Sequence, residues 1–124
     1  MTMQSAGWIV SGLVIVFLLF DGGTKVLEVA PVLEACQRLG IGPEKAVAIG
    51  AVLLVCTALY AVPTTAVLGA ILLTAFLGGA VATHVLGGSG AFETAFPIGV
   101  GGLVWLGLVL RDAGLLRTIT EVPR

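Results

Sequence analysis

Charge is scarce in this 124-residue chain: Asp, Glu, Lys and Arg make up 10% of it, and 6 Lys+Arg against 7 Asp+Glu leave a formal charge of -1. No basic field exists to attract a polyanion, so a nucleic-acid partner is excluded. There are 2 cysteines and 1 histidine. Cys36 and Cys56 show neither CxxC spacing nor the Cys/His cadence of a zinc site, so no metal centre is predicted. A helix separates them by more than a disulfide can bridge, which leaves two free thiols, Cys56 as packing.

What the chain has instead is apolar length. Hydrophobic residues make up 58% of it, and its mean hydropathy of +1.15 lies far outside the range of ordinary soluble domains. Since one bilayer crossing consumes roughly 20 residues, four spans use nearly the whole chain and leave no soluble catalytic domain. Pro, Gly and charge clusters separate the runs into predicted spans of about 6–29, 43–61, 63–86 and 92–110. The first stops ahead of Pro31 and is followed by a polar connection, Glu34 to Gly42. The second opens on Gly42-Pro43-Glu44, with a proline suited to the first turn and an acid at the positive end of the helix dipole. Pro63 starts the third, so spans two and three form a tight hairpin. Arg111-Asp112 marks the exit of the fourth into water.

The expected architecture is an all-α, four-transmembrane-helix bundle in a single domain, with both termini on the same side of the membrane. The first span is expected to be retained rather than cleaved, since no Lys or Arg precedes its apolar core and Asp21 interrupts it. Arg111, Arg117 and Arg124 on the termini side are matched in number by Lys25, Arg38 and Lys45 on the other. Lys25 lies within a helix, and the expectation is that both termini face the cytoplasm. Small residues supply surfaces for close helix approach in lipid: Ala75, Gly78, Gly79 and Ala82 on span three, Gly99, Gly101 and Gly102 on span four. Trp8 and Tyr60 are read as interface-belt residues and Trp105 as packing.

The informative residues are ionisable groups at membrane depth. Asp21, Lys25 and Glu28 follow i, i+4, i+7 spacing, within roughly 60° of arc on one helical face. Asp21 is too deep for a short carboxylate to reach water easily and needs a partner, which Lys25 one turn away provides. Topology brings the end of span one, the end of span three and the start of span four to the same membrane face. Asp21, Lys25, His84 and Glu93 are therefore candidates to line one cavity, with Thr24 and Thr83 beside them. The bland reading treats Lys25, Glu28, His84 and Glu93 as snorkelling anchors. Moreover, His84 projects almost opposite the small-residue face of span three, so tight packing of that face would turn the histidine outward.

The run Phe17-Leu18-Leu19-Phe20-Asp21-Gly22-Gly23-Thr24-Lys25, the Leu39-Gly40 connection, the hairpin at Pro63, and Ala82-Thr83-His84 followed by a glycine-rich turn and Pro97 resemble the DoxX-like family of small four-helix membrane proteins. That resemblance covers nearly the whole chain. It implies the fold, and it implies a membrane subunit that binds a quinone-like, lipid-soluble ligand or anchors a redox partner, with Lys25 and His84 contacting carbonyl oxygens. No cysteine pair, haem ligand set or flavin motif accompanies these residues, and no cofactor is indicated by motif.

Three functions from different classes follow. One is the ligand-binding or anchoring subunit. A second is a membrane-embedded enzyme doing acid-base chemistry (isomerisation, cyclisation or epoxide opening) on an apolar substrate, with Asp21 and His84 exchanging protons. The third is a structural or assembly module, associating with itself or a membrane partner without any ligand. The expected location is a membrane, the cytoplasmic one if the source is bacterial.

Overall fold

The computed structural model describes residues 2–112 and 114–121. Its helices are α1 (Met3–Val26), α2 (Ala30–Arg38), α3 (Pro43–Ala61), α4 (Ala66–Leu86), α5 (Ala91–Arg111) and α6 (Leu115–Thr120), with a 3-10 turn at Pro63–Thr65 leading into α4. Four helical segments are long and apolar enough to cross a membrane: Met3–Val26, Pro43–Ala61, Pro63–Leu86 and Ala91–Arg111. The chain is an integral membrane protein built as a bundle of these four.

Local chemistry sets the ends. Thr2 caps α1, its hydroxyl accepting the Ser5 N–H at 3.1 Å. Only Val62 separates α3 from the turn that starts α4, and Thr65 Oγ1 donates to the Leu59 carbonyl at 2.7 Å, satisfying an acceptor that the end of α3 leaves open. Inside the spans, the Thr57, Thr74 and Thr83 hydroxyls each donate to the carbonyl four residues back, so these hydroxyls are bonded within their own helices.

The end of α1 departs from the sequence-based expectation. The helix stops at Val26 rather than running to Val29, because Glu28 adopts a left-handed conformation at φ 57°. The Glu28 N–H then bonds Lys25 O and the Val29 N–H bonds Thr24 O, a Schellman closure of the kind usually built on glycine. Gly40 and Gly88, at φ 78° and 70°, close α2 and α4 with the same pattern. Glu28 is therefore outside the helix, and the expected three-residue polar stripe is reduced to Asp21 and Lys25.

The four long helices form a ring in the order α1, α3, α4, α5, each packed on its two neighbours. Leu18, Leu53, Leu73 and Val104 fill the centre. Close approach depends on glycines other than those the sequence suggested. A Cβ on Gly50 would lie 2.7 Å from Gly22 O, one on Gly69 would collide with the Tyr60 backbone, and one on Gly107 would lie 2.5 Å from Ser11 Oγ. By contrast, Gly78, Gly79, Gly99 and Gly102 have open space where a Cβ would stand. Of the glycines on the expected small-residue faces, only Gly101 stands against the other helix, 3.6 Å from Leu77 Cδ1 of α4; the four with open space do not bring α4 and α5 together. Part of the α4 face, Ala75 and Gly79, borders a cavity instead.

Two further expectations are corrected at the opposite end of the bundle. Gly7 abuts the backbone of Leu110 and Arg111, which brings the start of α1 beside the end of α5. Tyr60, read as an interface residue, is fully buried, donating to Val104 O at 2.7 Å with Ser11 Oγ 3.1 Å away. Arg111, read as an exit into water, is only 8% exposed. Its guanidinium lies 3.9 Å from the centre of the Trp8 ring, and Nη1 reaches Tyr60 O at 3.3 Å and Ser11 Oγ at 3.4 Å. A planar, weakly hydrated guanidinium that can stack and donate at once tolerates this site better than an ammonium would. Trp105 Nε1 donates to Thr74 Oγ1 at 2.7 Å, tying α5 to α4, in keeping with a packing role.

Candidate functional site

Where Gly22 of α1 meets Gly50 of α3 the backbones come close, and this contact fixes the rotation of the last two turns of α1. One turn of helix then puts Lys25 Nζ 2.7 Å from Asp21 Oδ1. The side chain of the lysine is 16% exposed and that of the aspartate 37%. With the helix ending at Val26, Asp21 lies about 8 Å from that end along the axis, shallower than a helix running to Val29 would place it. Its ion pair is a charge-assisted bond in a low-dielectric setting, held without a second base in direct contact among the described residues.

Both residues border a cavity of about 680 Å³. Across it, α4 contributes Ala75, Gly79, Thr83 and His84, and α5 contributes Phe96, Pro97 and Val100. The volume lies within the range of small-molecule sites, and the mix of mostly apolar walls with a few convergent polar groups is what such sites share. His84 therefore borders the same volume as Asp21 and Lys25. The small residues of α4 do not turn it outward, because they stand beside open space rather than against a neighbouring helix. Ser89 Oγ sits 2.9 Å from His84 Nδ1 and fixes the ring, leaving Nε2 without a protein partner among the described residues.

Glu93 is not brought into this group. It is exposed on the first turn of α5 and is not among the residues that border the cavity. Thr24 turns back to donate to Asp21 O at 3.0 Å, bracing the turn that carries the acid. No cluster of His, Cys, Asp and Glu able to hold a metal ion occurs among the described residues.

Two contributors were missed in the sequence. The connection expected to be a polar loop contains α2, and Pro31, Val32, Ala35 and Cys36 of that helix form one side of the cavity. The signal was present: Val32, Cys36 and Leu39 recur at i, i+4, i+7, but Glu34, Gln37 and Arg38 between them read as loop. Ser89 had no signal beyond its glycine-rich turn. Phe17 and Phe96, packed edge to face with centroids 5.5 Å apart, join α1 to α5 at the cavity wall. Cys36 and Cys56 are both free and buried.

This arrangement, a membrane bundle of four spans with a mostly apolar cavity near one end that a few polar side chains border, defines a class of small membrane proteins rather than an activity. The family model described as "DoxX-like family" matches residues 9–107, and the chain belongs to that family. No curated protein and no solved structure matches it.

Proposed function

We propose that this protein is a membrane subunit that takes a lipid-soluble ligand with a polar, quinone-like head into the cavity between α1, α2 and α4. Lys25 and His84 act as donors to carbonyl oxygens of the head, and the apolar walls take its ring and chain. Asp21 holds the ammonium of Lys25 in place. The single observation that carries the reading is that one cavity of about 680 Å³ is bordered by Asp21, Lys25 and His84 together. Its membrane is the cytoplasmic one if the source is bacterial, with both termini on the cytoplasmic side.

Equilibrium binding of a short-chain quinone to the full-length protein in detergent tests this. Saturable binding that weakens about tenfold, the loss of one hydrogen bond to the head, in both Lys25→Met and His84→Phe is expected. Absence of saturable binding to the wild-type protein contradicts it.

A second reading is favoured by the His84–Ser89 contact, which leaves one ring nitrogen available for proton transfer across the cavity from Asp21. An acid-base enzyme of this kind loses turnover of an apolar substrate in Asp21→Asn while keeping its fold. Binding without any such turnover selects the subunit.

A further inference from the structure

Arg111 is a cation buried without an anion. Among the described residues no carboxylate lies within ion-pair distance of it. Asp112, its neighbour in sequence, is exposed and accepts the Gly114 N–H at 3.1 Å, and Arg117 is taken by Glu121 at 3.3 Å. What holds the guanidinium is neutral. Nη1 donates to Tyr60 O and Ser11 Oγ at 3.3 and 3.4 Å, both long for a charged donor, and the Trp8 ring covers one face at 3.9 Å. Tyr60 O belongs to the last turn of α3, so the arginine also meets the partial negative charge of that helix end, which offsets part of a unit charge.

Both bonds use Nη1. The N–H groups of Nε and Nη2, which lie along one edge of the guanidinium, have no protein partner among the described residues, and no side-chain donor shut off from the surface is left unbonded there. That edge is the one that grips two oxygens of a tetrahedral or planar anion at once. Its depth is also telling. Arg111 ends the 21-residue α5, Trp8 lies in the second turn of α1 and Tyr60 is one residue from the end of α3, so all three stand at the level where a bilayer changes from chains to headgroups.

We propose that the Nε–Nη2 edge of Arg111, backed by Trp8 and the α3 terminus, binds a phosphate group carried by the headgroup of an anionic membrane phospholipid. The site is at the opposite end of the bundle from the cavity and does not depend on what the cavity holds. The lipid supplies the countercharge that the described residues lack, and its chains lie along the exposed apolar flank of α1, where Ile9 and Leu13 face outward.

Native mass spectrometry of the full-length, detergent-solubilised protein tests the assignment, with phosphatidylglycerol, phosphatidylcholine of the same chains and inorganic phosphate as probes. Wild-type protein is expected to retain phosphatidylglycerol roughly fivefold or more over phosphatidylcholine, with millimolar phosphate unable to displace it. Arg111→Gln, which removes both the charge and the fork, loses the preference, whereas Arg38→Gln/Lys45→Gln at the other face keeps it. Equal retention of the two lipids by the wild type overturns the proposal without any variant, as does a preference that survives in Arg111→Gln or vanishes in the double variant. Displacement by inorganic phosphate overturns the lipid as its source. If Arg111→Gln fails to fold, Arg111→Lys replaces it: a point charge without the fork is expected to cut the preference at least twofold, and an unchanged preference overturns the proposal.

Discussion

Lys25 Nζ stands 2.7 Å from Asp21 Oδ1 on the wall of the cavity, and the lysine is the more buried partner of the two. Removing the cation in Lys25→Met leaves a carboxylate facing apolar walls, while the methionine keeps most of the stem packing. The folded bundle is expected to lose about 1–2 kcal/mol, less than for a sealed ion pair because the Asp21 side chain is partly open. Asp21→Asn/Lys25→Met is expected to recover part of the loss. Melting in detergent reads both, and a single variant as stable as wild type contradicts the pairing.

Gly107 and Gly99 lie on the same helix and make opposite forecasts. A Cβ at Gly107 meets Ser11 Oγ at 2.5 Å and Tyr60 Oη at 3.1 Å, whereas one at Gly99 meets nothing within 4 Å. Gly107→Ala is expected to destabilise by about 1–3 kcal/mol through overpacking. Gly99→Ala is expected to be neutral or to stabilise by up to about 1 kcal/mol, from lower backbone entropy in the unfolded chain. Unfolding titrations of the pair in mixed micelles check the sign of each.

Glu28 occupies a left-handed position that glycine fills at Gly40 and Gly88. The conformation costs a side-chain-bearing residue about 1–2 kcal/mol, part of which is returned as the unfolded-state entropy that glycine adds. Glu28→Gly is therefore expected to raise stability by roughly 0.5–1 kcal/mol. Since Glu28 is exposed and does not border the cavity, ligand binding is expected to stay unchanged. A lower melting temperature in this variant contradicts the strain.

Much of the fold was legible because lipid imposes it. Long apolar runs broken by Pro43, Pro63 and the glycines at 87–90 admit little but four helices, and an i, i+4 acid and base at membrane depth admit little but a pair. What could not be read was which small residues touch. Gly78 and Gly107 look alike in sequence, and only the rotation of each helix in the ring decides that one stands beside open space and the other under a tyrosine. Rotation also decided His84, whose face depended on whether the small residues of α4 were packed. Arg111 was misread for a related reason. A cation at the end of a span ordinarily marks water, and nothing local announced that Ser11, Tyr60 and Trp8, from two other helices, would converge on it. The structured connection α2 was hidden by polar residues on its outer side.

Filling the cavity tests for a polar-headed, lipid-soluble occupant without touching a charge. Gly79 borders the cavity, and a side chain added there starts with free space around its Cβ. Gly79→Phe is expected to leave the melting temperature of the empty protein unchanged and the Asp21–Lys25 pair intact, and to abolish saturable short-chain quinone binding in a titration that the wild-type protein completes. Equal binding by wild type and Gly79→Phe would contradict that occupancy.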